Sequence, residues 1–130
     1  MAYQVEYDGY HGYVRNRAYA DIYCHGVAGR LPKPFHLAAL IDTGADYLEL
    51  PNSVAQQLGL NLSVYPTNLV LTAGGYIPVA VVPNFGVEIE GKLISVTTHF
   101  IALSTALVGL SVIIAAVDIG LDVSRWLYKK

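Results

Sequence analysis

Charge and basic runs are scarce in this sequence, and their scarcity excludes one class of partner. Charged residues make up 14% of the chain, against roughly 25% in a typical soluble domain. The net charge is -2, and the only basic run is the terminal Lys129-Lys130. Nucleic acid is therefore not an expected partner, because domains that bind it carry clustered Lys and Arg.

Cysteine is almost absent. The single cysteine, Cys24, excludes an intrachain disulfide and a multi-cysteine metal site. We interpret it as a small buried thiol. The histidines are scattered without ligand spacing, at His11, His25, His36 and His99. The sequence therefore predicts neither a metal site nor a cofactor.

Targeting signals are also missing. The N-terminus has no basic start followed by an apolar core, and Glu6 and Asp8 interrupt it early, so we expect a cytoplasmic protein. One uncharged run, residues 100–117, approaches the length that spans a bilayer. Serine and glycine residues divide this run, and no basic clusters flank it. We predict a buried strand, a glycine turn and a buried helix there, with a transmembrane helix as the alternative.

Apolar residues, by contrast, are abundant. They make up 54% of a 130-residue chain, which has the length of one domain. So much apolar surface indicates either an oligomer interface or a membrane. Residues 1–17 are rich in tyrosine and form either an arm or a hairpin that turns at Asp8-Gly9. Residues 18–130 form the principal domain.

Short apolar runs between Gly, Pro and Asn residues predict a mostly β domain with one or two short helices. Pro51 suits a first helical turn and Gly59 a helix end, so one helix is expected between them. A long strand over 77–89 is bent or interrupted at Pro83-Asn84, and Glu90-Gly91-Lys92 turns the chain into the next strand. The other predicted strands are 18–27, 35–41, 47–50, 64–71, 93–103 and 121–128, and a second helix covers 110–117.

Asp42 ends the apolar run Ala38–Ile41 and is followed by Thr43 and Gly44. Removing a lone carboxylate from water is costly, so a charge in this position needs a reason. Gly44 allows another part of the backbone to come close. The pattern indicates a functional carboxylate at a buried contact between two backbone segments. The alternative is a structural aspartate that caps a turn.

Two later segments accompany this triplet. Thr72-Ala73-Gly74-Gly75-Tyr76 is a turn signal between two β-rich runs. Leu107-Val108-Gly109-Leu110 ends an apolar strand and begins the second predicted helix. For the first segment an ordinary hairpin turn is the alternative interpretation.

This ordered set resembles the retropepsin-like, or retroviral-type, aspartic proteases over residues 22–128. The resemblance implies a closed β-barrel-like fold that works as a homodimer, in which each copy gives one Asp-Thr-Gly loop to a shared site. The triplet occurs once in this chain, since Asp118-Ile119-Gly120 lacks the hydroxyl residue. A second chain is therefore required.

The implied activity is that of an aspartic endopeptidase with catalytic residues Asp42, Thr43 and Gly44. Two Asp42 carboxylates share one proton and activate a water molecule. The resemblance gives Thr43 a hydroxyl bond that locks the two loops across the dimer. It also implies that an extended peptide or protein substrate is bound by main-chain contacts beneath a closing flap. The substrate-binding residues implied in this way are Ala45, Asp46, Thr72, Ala73, Gly74, Gly75 and Tyr76.

The sequence departs from the family pattern after Gly109. The family often places Arg and then Asp or Asn there, whereas this chain has Leu110-Ser111. That arginine commonly pairs with an acid matching Asp46, so Asp46 needs another partner or stays solvated. We predict residues 121–128, with Trp126, as the interface strand of the dimer. A catalytically silent dimerisation or peptide-binding domain on the same fold is the alternative function.

Overall fold

The computed structural model describes residues 5–6, 13–14, 17–42, 44–89, 91–102, 105–116, 118–121 and 126–129. The helices are α1 (Asn52–Gln57) and α2 (Leu110–Ala116), and Leu62–Val64 form a 3₁₀ turn. The strands in chain order are β1 (Val5–Glu6), β2 (Tyr13–Val14), β3 (Arg17–Gly26), β4 (Phe35–Ile41), β5 (Leu48–Pro51), β6 (Thr67–Thr72), β7 (Gly75–Ile89), β8 (Lys92–Ile101), β9 (Ala106–Val108), β10 (Asp118–Leu121) and β11 (Trp126–Lys129).

Eight of the strands form one sheet in the order β2-β3-β4-β9-β5-β8-β7-β6. An additional antiparallel pairing between β3 and β7 closes six of them into a barrel. A smaller sheet has the order β1-β11-β10. The predicted closed β-barrel-like fold with short helices is therefore confirmed.

The barrel core follows from strand alternation, since successive side chains point to opposite faces. Leu48 and Leu50 of β5 are fully buried, while Glu49 between them faces outward and is half-buried. Phe85 and Phe100 meet edge to face with ring centroids 5.5 Å apart, a favoured aromatic geometry. Cys24 is buried in the same core, and burial raises the pKa of its thiol to about 12. The predicted buried thiol is confirmed.

The long strand β7 is bent where the sequence predicts. Its register with β8 shifts between Val82 and Phe85, and Asn84 between them adopts a positive φ of 54°. Asparagine tolerates this left-handed conformation better than most residues. The β7–β8 turn contains Gly91 at φ 75°, a conformation that favours glycine.

Three predictions depart most clearly from the element bounds of the structure. Pro51 is the last residue of β5, with φ -59° and ψ 144°, and α1 begins only at Asn52. The strand predicted over 64–71 is β6, which begins only at Thr67. Residues 62–64 form a 3₁₀ turn instead, and the Asn61 side chain before this turn accepts a hydrogen bond from Ser63 N at 3.1 Å. The predicted final strand over 121–128 overlaps β10 only at Leu121 and β11 from Trp126 onward, and these two strands pair antiparallel.

Residues 100–117 contain the end of β8, then β9 and α2, which agrees with the predicted order of strand, turn and helix. The helix is only partly buried, because Leu110 and Ile114 are exposed. Within the described ranges, no helix is both long and apolar enough to cross a membrane. Asp8-Gly9 lies outside those ranges. The two strands that flank it lie in different sheets. Val5–Glu6 pairs with β11 in the smaller sheet, and Tyr13–Val14 pairs with β3 in the larger one.

Candidate active site

Asp42 begins a loop, residues 42–47, that joins two strands which are not neighbours. β9 lies between β4 and β5, parallel to the first and antiparallel to the second. The loop therefore crosses the end of β9. Asp42 N donates to the Val108 carbonyl oxygen at 3.0 Å, which continues the β4–β9 pairing as far as the aspartate.

Gly109 makes this crossing sterically possible. A Cβ atom built on it would lie 2.3 Å from the Tyr47 carbonyl oxygen and 2.7 Å from both Tyr47 N and the Ala45 carbonyl oxygen. All three are backbone atoms, so no side chain can rotate to make room. The Leu107-Val108-Gly109 segment thus has a physical role: its glycine allows the aspartate loop to pass directly over it.

The first turn of α2 is bonded to the same loop. Leu110 N donates to the Ala45 carbonyl oxygen at 2.8 Å, and Ser111 N donates to the Asp46 carbonyl oxygen at 3.0 Å. The first N–H groups of a helix lack partners within it, and here the loop supplies them. These donors are backbone groups, so Leu110-Ser111 hold the loop without an arginine. Asp46 itself is exposed, and the described part of the chain contains no ion pair to it.

The Asp42 carboxylate is held within its own loop. Its Oδ1 accepts a hydrogen bond from Gly44 N at 2.9 Å, and its carbonyl oxygen accepts from Ala45 N at 3.1 Å. A Cβ atom on Gly44 would lie 3.2 Å from Oδ1, closer than an ordinary contact. Asp42 is half-buried, so it keeps access to solvent. Thr43 lies outside the described residues, and its hydroxyl bond stays a prediction.

Glu49 is a nearby carboxylate that the sequence interpretation missed. Burial raises the pKa of Glu49, and the negative charges of Asp42 and Asp46 raise it further. A sequence signal was present: a glutamate alternates with Leu48 and Leu50 in the strand that directly follows the aspartate loop. Alternation predicts its outward orientation, but not its proximity to Asp42.

Glu49 belongs to a row of half-buried residues on the outer face of the barrel, which we name the outer strip. Each member is the registered partner of the next on five neighbouring strands, β4, β9, β5, β8 and β7. The members in that order are Leu40, Leu107, Glu49, His99 and Val81.

An aromatic pair lies beside the outer strip. The rings of Tyr47 and His99 are 4.4 Å apart between centroids, at an interplanar angle of 32°. Burial lowers the pKa of His99, because the charged imidazolium loses hydration there. His99 therefore stays neutral near pH 7 and does not neutralise Glu49.

The hairpin of β6 and β7 extends beyond the strip. It pairs Leu69 with Pro78 and Leu71 with Tyr76, and it turns at Ala73-Gly74. Gly75 adopts φ 105°. Leu69, Leu71 and Tyr76 are each more than 65% exposed. The predicted turn at 72–76 is confirmed, and its role as a flap stays a prediction.

The described residues offer no group of three or more His, Cys, Asp or Glu side chains placed to hold a metal ion. Two carboxylates are already engaged elsewhere: Glu88 with His25 Nε2 at 3.2 Å and Arg30 Nη1 at 3.4 Å, and Asp21 with His36 Nε2 at 2.8 Å. Asp42, Asp46 and Glu49 are the acidic groups that the described chain places at the end of the barrel where the loop crosses β9.

Comparisons with known proteins agree with this geometry. A family model described as aspartyl protease matches residues 27–112, which include the loop, the hairpin and the start of α2. A retropepsin-like aspartic protease from Rickettsia conorii has a similar structure, with a TM-score of 0.65 and 25% sequence identity over 86% of this chain and 88% of that one. No curated protein matches the sequence significantly. The chain belongs to the aspartyl protease family, and its fold is retropepsin-like.

Proposed function

We propose that the chain is an aspartic endopeptidase whose active site is shared by two copies, each of which contributes Asp42. The geometry of the Asp42 loop carries this proposal. Backbone bonds from Asp42, Leu110 and Ser111 fix the loop, and Gly44 N fixes the carboxylate. The carboxylate stays half-exposed, so it is both oriented and accessible, as a catalytic group must be.

Two copies are required because one carboxylate cannot be base and acid at the same moment. The Asp-Thr-Gly triplet occurs once per chain, so the second carboxylate comes from another chain. Two Asp42 side chains close to each other cannot both ionise, and the pair shares one proton. Its apparent pKa values belong to the pair and not to either residue.

The reaction follows from that shared proton. The ionised Asp42 takes a proton from a water molecule held between the carboxylates, and the water oxygen attacks the peptide carbonyl. The protonated Asp42 donates its proton to the carbonyl oxygen, which gives a neutral tetrahedral intermediate. When the intermediate collapses, a proton passes to the leaving nitrogen, the C–N bond breaks, and an acid and an amine are released.

The other site residues bind and position the substrate. The Thr43 hydroxyl bonds to the opposite loop, and Gly44 accepts a hydrogen bond from the substrate main chain. Ala45 and Asp46 line the cleft beside them. An extended peptide lies over the outer strip, and the hairpin with Thr72, Ala73, Gly74, Gly75 and Tyr76 closes over it and excludes water.

A cleavage assay tests the proposal. The purified chain is incubated with a broad peptide library across about pH 3–7, a range set by carboxylate pKa values, and its mass in solution is measured in parallel. We expect a dimer that cleaves at acidic to mildly acidic pH, and Asp42→Asn should lose at least about 10³-fold in kcat. A folded dimer that cleaves no peptide would instead support the silent peptide-binding domain.

A further inference from the structure

Glu49 is the one acidic member of the outer strip, whose other members are Leu40, Leu107, His99 and Val81. The strip begins on β4, which carries Asp42 at its end, and it finishes on β7, the second strand of the exposed hairpin. The proposed function holds a peptide between Asp42 and that hairpin, and these lie toward the two ends of the strip. Glu49 is at the centre of the strip, on β5, where a side chain of such a peptide would be within reach.

Glu49 also has no counter-ion within the part of the chain that the structure describes. Among those residues, no hydrogen bond or ion pair engages its carboxylate. Its charged neighbours in the loop are Asp42 and Asp46, both negative, and burial disfavours the charged form of His99 beside it by lowering its pKa. A half-buried carboxylate in such surroundings is destabilising, so the fold itself gives no reason for it.

The aromatic pair adds a second feature. Tyr47 and His99 place two tilted, closely spaced rings beside Glu49, on the neighbouring loop and strand. A planar guanidinium stacks on aromatic faces and binds a carboxylate through two N–H groups at once. A Lys ammonium group can form an ion pair with the carboxylate, but it stacks less favourably on the aromatic rings.

We propose that the outer strip contains a subsite for a basic substrate side chain, in which Glu49 is the counter-ion and Tyr47 with His99 form the aromatic wall. The proposal rests on the proposed protease function and names its substrate class: extended peptides with Arg, and less strongly Lys, near the scissile bond. Leu40 and Leu107 lie between Glu49 and the β3 side of the barrel, so apolar side chains occupy the adjacent positions.

Matched peptides that differ at one position test this subsite. Each position within about four residues of the cleaved bond is filled in turn by Arg, Lys, norleucine or Glu, and kcat/KM is measured for each peptide at the highest pH at which the enzyme cleaves, because the raised pKa of Glu49 favours its uncharged form at acidic pH. At one position the Arg peptide should exceed the norleucine peptide by about tenfold, which corresponds to about 1.4 kcal/mol. Glu49→Gln should reduce this ratio to near one, and Glu49→Arg should invert it in favour of the Glu peptide.

Glu88→Gln is the matched control, because it removes the same charge elsewhere on the barrel. Glu88 is seven residues from Val81 along β7, about 23 Å in an extended strand, and it is already paired with Arg30. The Arg-to-norleucine ratio should be unchanged in this variant. Equal loss in both variants would show a general effect of net charge and would overturn the subsite.

The binding affinity of the same peptides for Asp42→Asn, measured by fluorescence anisotropy, separates this inference from the protease proposal. A chain that cleaves all peptides with equal efficiency overturns the subsite and leaves the protease intact. A chain that binds the Arg peptide about tenfold more tightly through Glu49, yet cleaves nothing, overturns the protease and retains the subsite. Absence of both binding preference and cleavage overturns both.

Discussion

The aspartate loop and the β6–β7 hairpin differ in how the fold holds them. The loop is bonded to β9 and α2 by backbone groups, and Gly109 packs directly beneath it. The hairpin extends beyond the barrel, pairs mainly strand to strand, and exposes Leu69, Leu71 and Tyr76. A segment with few buried contacts opens at lower free energy than a packed one. The fold thus holds the Asp42 loop by backbone bonds, whereas it leaves three large apolar side chains of the hairpin exposed.

Among the substitutions that test this contrast, Gly109→Ala should have the largest effect, and that effect is on the free energy of unfolding. Gly109→Ala forces a methyl group against three backbone atoms, and we expect a loss of about 3 kcal/mol or more in the free energy of unfolding. Urea denaturation followed by circular dichroism measures it.

Gly59→Ala is the control for Gly109→Ala. Gly59 has a positive φ of 67°, but a methyl group added there would meet nothing within 4 Å, so only backbone strain of about 1 kcal/mol is expected. Equal losses in the two variants would contradict the close crossing beneath the loop.

A smaller effect, confined to activity, is expected in the hairpin. Leu71 is 67% exposed, so Leu71→Ser should change the free energy of unfolding by no more than about 0.5 kcal/mol. If the hairpin closes over the substrate, kcat/KM should fall about tenfold, since the exposed apolar face then loses its contacts. Val64→Ser, at a similarly exposed position outside the hairpin, should leave kcat/KM unchanged. Equal kcat/KM in the two variants would show that the hairpin does not act as a flap over the substrate.

The smallest expected effect is that of Glu49→Gln on the free energy of unfolding, and it depends on pH. Its pKa is raised in the folded state, so folding favours the protonated form, and the ionised form is penalised once the pH exceeds the unfolded-state pKa. Glu49→Gln should therefore stabilise the protein at pH 7 and lose that advantage as the pH falls. The gain should stay below about 1 kcal/mol, because the group is partly exposed and solvent screens it.

The control is again Glu88→Gln, whose carboxylate is paired with Arg30 and His25. It should destabilise the protein at pH 7 or leave it unchanged. Denaturant midpoints for both variants at pH 4 and pH 7 give the comparison, and a destabilised Glu49→Gln at pH 7 would show that Glu49 has a favourable partner.

Features encoded by neighbouring residues could be predicted from the sequence. The turn at 72–76, the bend at Pro83-Asn84 and the end of β4 at Ile41 follow from local residue types. The Asp42-Thr43-Gly44 triplet is likewise a local signal, a carboxylate after an apolar run and before a glycine.

Features that depend on distant pairings could not be predicted. The insertion of β9 between β4 and β5 joins residues far apart in the chain, such as Ala39 and Ala106, and alternation within each strand carries no information on it. The steric need for Gly109 and the proximity of Glu49 to Asp42 both follow from that insertion. The terminal sheet is similar, since β1 pairs with a strand at the other end of the chain.

The shared site is the central claim, and a mixing experiment tests it most directly. Wild-type chain is co-refolded with a tenfold excess of Asp42→Asn, and peptide cleavage per wild-type chain is measured. If each site needs Asp42 from two copies, most wild-type chains enter inactive mixed dimers, and activity per wild-type chain should fall about tenfold. Unchanged activity per wild-type chain, with mixed dimers present, would contradict the account, because one Asp42 would then suffice.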